Sequence, residues 1–333
     1  MVKKFGCHWT QRFALAMAFM LLAACGSSSK FDEFIPTRIV SVGDQLSYLG
    51  NSALVTPYSD RFTVNNLSGD TTLNNWVLQL AHSYGLSTEL SAEEPAVLGT
   101  ADPVHNKVAE LENRLANVAP KSGDMLVVNG GMADIIALAE EVADGQKTVS
   151  VALTEITAAG SELQALLIRQ QNNYKHILVI NAYDLKDSPY ATSRALTGIS
   201  RASFQQLLHD MTRAFNSALI SNAGTYSSGV GIRLFDAETL LLNANLYNAG
   251  ISTDGMSKNT CGSMTALTTQ ALGSAADQVA TLAAAALTRS DCKTTNSNFS
   301  STYLFADTKF LSPKAHQLLG SQAYVFLRGV KGW

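Results

Sequence analysis

Apolar residues along this chain follow two periods. Short, mostly apolar runs cover residues 38–42, 124–129, 176–181 and 230–235. Runs of that length and composition predict strands buried on both faces, as in a parallel sheet. Between them the apolar spacing changes to that of helices, over residues 76–84, 104–118, 134–142, 158–172, 203–222 and 318–329. Gly85 closes the first of these as a C-cap residue would. The alanine-rich stretch 275–287 also reads as helical, and segments 243–263 and 293–301, rich in Gly, Asn and Ser, read as loops. Strands alternating with helices predict an α/β fold: a mostly parallel sheet flanked by helices in three layers. No internal repeat or mid-chain linker divides it, so one domain is expected over residues 37–333.

The N-terminus follows a different logic. Lys3, Lys4 and Arg12 precede an apolar run over residues 13–22, too short to span a bilayer as a mature helix. The run ends in Leu22-Ala23-Ala24-Cys25-Gly26, which resembles a bacterial lipobox. Residues 1–24 are thus expected to be a signal peptide, with Cys25 lipidated and residues 25–36 a short tether. Acyl chains on Cys25 would anchor the protein to a membrane, each buried methylene contributing about 0.8 kcal/mol. Gly26, rather than Asp, favours the outer membrane over inner-membrane retention if the host is Gram-negative. The expected location is therefore the cell envelope.

Charge and cysteine content narrow the options further. The chain carries a net charge of −3; without Lys3, Lys4 and Arg12, 21 basic residues face 27 acidic ones, a net of −6. No basic cluster appears, so nucleic acid is not an expected partner. Cys7 leaves with the signal peptide and Cys25 takes lipid, which leaves Cys261 and Cys292 as a pair. In an oxidising compartment a disulfide between them is the default. With no nearby histidine pair they make a poor zinc set, and no metal or cofactor is expected.

The candidate chemistry lies in three blocks. Val42-Gly43-Asp44-Gln45-Leu46-Ser47 follows the first strand-like run. Gly130-Gly131-Met132-Ala133-Asp134 follows the second. Asp307-Thr308-Lys309-Phe310-Leu311-Ser312-Pro313-Lys314-Ala315-His316 precedes the last helix. These resemble, in order, the Gly-Asp-Ser-Leu-Ser, Gly-Gly-x-Asn-Asp and Asp-x-x-His blocks of the GDSL (SGNH) esterase and lipase family. Weaker likenesses lie between them. Residues 61–86 resemble the family's Arg-Phe…Trp-x-x-x-Leu-Ala region. Gly99 sits where the family places an oxyanion-hole glycine. Residues 179–185 and the Phe215-Asn216-x-x-Leu219 helix also match. Gly43 and Gly131 are kept at the turns, and Asp134 and Asp184 match family acids for which a structural role is expected. The resemblance implies an SGNH-hydrolase-like fold and a site at the carboxyl edge of the sheet.

Within that frame the reactive groups are replaced. Gln45 stands at the nucleophile position, Ala133 at the oxyanion-hole asparagine and Phe310 at the base, while Asp307 is kept. Ester hydrolysis by a serine needs an activated hydroxyl, a base and oxyanion donors. Glutamine is not a practical nucleophile, phenylalanine accepts no proton, and alanine donates no side-chain hydrogen bond. Losing one oxyanion donor alone typically costs ~2.7–4 kcal/mol in the transition state. Relocated groups are a fallback: Ser47 as nucleophile and His316, which aligns with a second family histidine, as base. Ser41 is a weaker alternative, and His82, His105, His176 and His209 read as surface or core residues. Two functions follow from this sequence. One is a non-catalytic binding protein holding an acyl, glycan or peptide ligand in the former cleft. The other is an ester hydrolase with rearranged groups. A purely structural envelope component is the third reading.

Overall fold

The computed structural model describes residues 34–49, 75–89, 92–100, 107–226, 231–244, 304–305 and 309–329. Residues Ile35–Gly329 form one compact unit. The expected signal peptide, Cys25, the expected Cys261–Cys292 pairing, the expected helix over 275–287, the expected loops over 245–263 and 293–301, His105 and Asp307 lie outside the described residues.

Among the described residues, five strands build one parallel sheet: β1 (Arg38–Val42), β2 (Val97–Gly99), β3 (Asp124–Asn129), β4 (His176–Ile180) and β5 (Ile232–Phe235). The order across the sheet is β2-β1-β3-β4-β5. The apolar runs of β1, β3 and β4 are buried along almost their whole length, which is why they show no alternation. Arg38 and Asp124, the first residues of β1 and β3, pair in register. The guanidinium donates from Nε to Asp124 Oδ1 over 2.9 Å, and the carboxylate also accepts from the Lys121 amide over 2.7 Å.

Eight helices flank the sheet among the described residues. In chain order they are α1 (Trp76–Ser83), α2 (Val108–Leu115), α3 (Met132–Ala143), α4 (Val149–Gln170), α5 (Pro189–Ser193), α6 (Arg201–Leu219), α7 (Ala237–Leu242) and α8 (Pro313–Arg328). They form two groups. α8 packs on α1 and α7, while α4 packs on α2, α3 and α6. Most N-termini are closed by a side chain: Asn75, Thr148, Ser188, Ser200, Asp236 and Ser312 each accept from a backbone N–H of the first turn.

The short helices α5 and α7 were not expected from the sequence, α2 is shorter than the expected 104–118, and other elements need correction as follows. α4 begins at Val149, nine residues before the expected start at 158. Its first turns leave Val149 and Val151 exposed, so they lack the one-sided apolar pattern that marks a helix. α8 begins at Pro313, with Ser312 as cap, five residues before the expected 318. β2 has only three residues and was not expected as a strand; the three are held by pairing with Ile39, Val40 and Ser41.

Candidate functional site

The strand order places the site. After β1 the chain runs to β2 on one side, then crosses to β3 on the other, so the crossover direction reverses between β1 and β3. In open parallel sheets the crevice at the carboxyl ends of such strands is where ligands bind. The carboxyl end of β1 carries Gly43–Ser47, and that of β3 carries Asn129–Ala133. The first two blocks are therefore neighbours in space.

Asp44 is the centre of this arrangement. Fully buried, it caps the short 3-10 turn Gln45–Ser47 by accepting from the Leu46 amide over 3.0 Å. Its second oxygen accepts from the Met132 amide over 3.1 Å, at the first residue of α3, where the helix dipole favours negative charge. Asn129 Nδ2 also donates to it. Burial outweighs these donors and raises the Asp44 carboxyl to about 6. Asp134, in the same first turn of α3, accepts from the Val108 amide over 3.1 Å and is likewise raised to about 6 by burial. It thus closes the start of α2, for which Lys107 supplies no side-chain cap.

Two glycines let these elements approach. A Cβ on Gly43 would overlap Asn129 Oδ1 and lie 2.6 Å from the Asn129 carbonyl oxygen. Gly131, with φ of 97°, turns the chain from β3 into α3, and the Phe215 ring fills the space a side chain there would occupy.

The hydrogen bonds continue away from Asp44. Asn129 Oδ1 accepts from the Ser47 hydroxyl, and Ser47 Oγ accepts from the Trp76 indole N–H over 3.3 Å. The Trp76 backbone N–H donates to His316 Nδ1 over 3.2 Å. Asn75 holds the turn from the other side, donating to the carbonyls of Leu46 and Tyr48 over 3.1 and 3.2 Å. One buried polar chain therefore runs from the start of α3, through the turn after β1, to α8. Ser47 and Trp76 are fully buried, and His316 is 2% exposed.

The residues singled out in the sequence fall as follows. Gln45 is half-buried at the start of the 3-10 turn, and Ala133 is half-buried in the first turn of α3. Gly99 is exposed at the end of β2, against Leu49. Phe310 is buried in the segment before α8, where Phe305 and Leu311 form an antiparallel bridge. That segment is tied to the loop after β4 by the Tyr183 hydroxyl, which donates to the Lys309 carbonyl over 3.1 Å. The Lys309 ammonium lies 4.9 Å from the centre of the Tyr190 ring. Ser41 is buried within β1. Asp184 accepts from the Lys186 amide and lies 2.6 Å from His209 Nδ1.

Ser47 and His316 do not form a nucleophile–base pair. Both bond to Trp76, Ser47 to its indole and His316 to its backbone. Asn129, Trp76 and Asn75, which complete the network, were not singled out from the sequence. The available signal was Asn129 itself, a polar residue directly after the apolar run Met125–Val128.

Neither a protein-family model nor a curated relative matches the chain. Solved structures do. Phospholipase A1 from Streptomyces albidoflavus is 12% identical, with 89% of this chain and 99% of that one covered and a TM-score of 0.44. An extracellular lipase from Streptomyces rimosus is 13% identical, with 62% and 82% covered and a TM-score of 0.39. A member of the lipolytic G-D-S-L family from Veillonella parvula is 10% identical, with 75% and 96% covered and a TM-score of 0.34. The chain is an α/β protein with a five-stranded parallel sheet among its described residues, and the solved structures it is similar to include a phospholipase, a lipase and a member of the lipolytic G-D-S-L family.

Proposed function

We propose that this chain is a lipid-anchored envelope protein on a GDSL-like esterase scaffold whose cleft binds a ligand or partner without hydrolysing it. The single observation that carries this reading is the state of the two fallback groups. The Ser47 hydroxyl is fully buried, donates to Asn129 and accepts from the Trp76 indole. His316 is 2% exposed and uses Nδ1 to cap the start of α1. A nucleophile must reach substrate and hand its proton to a base; these two groups serve packing instead. Gln45, Ala133 and Phe310 stand at the three positions where the family resemblance expects serine, asparagine and histidine.

The anchor at Cys25, the outer-membrane location and the Cys261–Cys292 disulfide belong to the same proposal and rest on the sequence. The former cleft, with the amide of Gln45 and the ring of Phe310, suits an uncharged ligand such as an acyl chain, a glycan or a peptide. The test is hydrolysis of short- and medium-chain aryl esters by purified residues 26–333, beside the triple variant Gln45→Ser, Ala133→Asn, Phe310→His. The expected result is a silent native protein and turnover by the restored one. Turnover by the native protein above background would sink the proposal. It would favour the esterase reading, for which fluorophosphonate labelling lost on Ser47→Ala is the check.

A further inference from the structure

We infer that the amino edge of the sheet is the side of this domain that rests on a bilayer surface, so that the cleft opens away from the lipid and takes its ligand from the aqueous phase. The inference rests on the lipid-anchored reading above and adds an orientation to it.

The two edges differ first in what is attached to them. All five strands run the same way, so they begin at one edge and end at the other. The expected tether enters β1 at Arg38, on the amino edge. At about 3.3 Å per residue, β1 carries the turn Gln45–Ser47 to the opposite edge, roughly 15 Å away. From Cys25 to Ile35 the chain can reach at most about 36 Å. So short a tether keeps the amino edge at high effective concentration beside the lipid surface.

The helices bring apolar residues to the same edge. α4 ends before β4 and α6 before β5, so their last turns lie where those strands begin. α1 starts at the cleft, where the Trp76 indole donates to Ser47 Oγ, and α8 starts beside it, with His316 at the Trp76 amide. The two helices then run in the same direction. Gln79 Nε2 donates to Ser321 Oγ over 3.2 Å, and further on the Tyr84 and Tyr324 rings lie 4.9 Å apart. α8 therefore also ends at the amino edge. Four exposed apolar side chains stand there: Ile35 before β1, Ile168 in the last turn of α4, Ile220 after α6 and Val325 in the last turn of α8. Ile35 and Val325, each 59% exposed, are the most exposed large apolar residues among those described. Val149, Val151 and Leu242 are exposed at the cleft edge, but the charges there differ. That edge carries Asp184, Asp187, Asp236 and Glu238, with Lys186 among them. At the amino edge Glu94, Glu112 and Glu162 are each paired with Lys121 or Arg169, and Lys175 and Arg328 add positive charge. Apolar side chains and cations together favour contact with anionic lipid, and carboxylates oppose it.

The experiment uses the full mature chain, purified with its anchor and placed in vesicles of phosphatidylethanolamine and phosphatidylglycerol. Photoreactive benzoylphenylalanine replaces one exposed residue at a time: Ile168 or Val325 at the amino edge, Val149 or Leu242 at the cleft edge. Illumination follows, and mass spectrometry reads the lipid adducts. The expected result is adducts at the positions of Ile168 and Val325 and none above background at those of Val149 and Leu242. Adducts at both edges, at neither, or at the cleft edge alone overturn the inference. The mass of the Cys25 peptide and flotation with the vesicles test the anchored reading separately. An unacylated Cys25 refutes that reading and this inference with it. An acylated, floating protein without the expected adducts refutes the orientation alone.

Discussion

Ser47→Ala separates a structural serine from a catalytic one. The hydroxyl donates to Asn129 Oδ1 and accepts from the Trp76 indole, both deep in the core. Alanine removes both bonds and leaves two buried groups without this partner. Each buried group left unsatisfied costs about 1–3 kcal/mol, so the substitution is expected to destabilise the protein by about 2–4 kcal/mol after partial relaxation. Replacing Trp76 by Phe removes the indole donor and so removes one of the two orphans. The double variant Ser47→Ala, Trp76→Phe should therefore lose less than the sum of the single losses, with a coupling of about 1 kcal/mol or more. The assay is equilibrium unfolding in urea followed by circular dichroism, with ester hydrolysis measured on the same samples. Hydrolysis should be unchanged at background in all variants. A Ser47→Ala loss below about 0.5 kcal/mol, or strict additivity with Trp76→Phe, would refute the chain of bonds described here.

Other substitutions probe the same frame. Gly43→Ala places a methyl group on Asn129 Oδ1 and against its carbonyl oxygen. Backbone cannot yield there as a flexible side chain would, so a loss of about 3 kcal/mol or failure to fold is expected, read by soluble yield and urea midpoint. Asp124→Ala removes the carboxylate from the Arg38 guanidinium at the amino end of β1, which keeps its bond to the Ala119 carbonyl, and should cost about 1.5–3 kcal/mol in the same unfolding assay. Global stability should also depend on pH. Asp44 and Asp134 have folded values of about 6, above the ordinary 3.8, so the folded state binds more protons than the unfolded one in this range. Stability from these groups is fully present below about 4 and is lost as pH rises through about 6, by up to about 3 kcal/mol for each. Urea midpoints at pH 5 and 7.5 measure it, and Asp44→Asn should flatten the slope.

Much of the fold was legible because burial writes itself into composition. A strand covered on both faces carries few polar residues, so β1, β3 and β4 appear as mostly apolar runs, with polar residues chiefly at their ends, at the observed positions. α6 shows its buried stripe of Phe204, Leu207, Leu208, Met211 and Phe215 at helical spacing. The exposed start of α4 and the three-residue β2 were missed because their register comes from neighbours and not from their own pattern.

The site divides along the same line. The sequence by itself determined which residue types stand at the turns: Gly43, Asp44 and Gly131, with Gln45, Ala133 and Phe310 at the positions where the family resemblance leads one to expect reactive groups. It also offered Ser47 and His316 as spare chemistry. Only the tertiary structure decided what those two do. Ser47 meets Asn129 from 82 positions away, and Trp76 meets His316 from 240, because the order β2-β1-β3 sets the end of β1 beside the end of β3 and α8 packs on α1. A side chain's partner depends on which strands are adjacent and which helix covers them. Local pattern carries no record of that, so the hydrogen-bond partners of Ser47 and His316 could be read only from the folded chain.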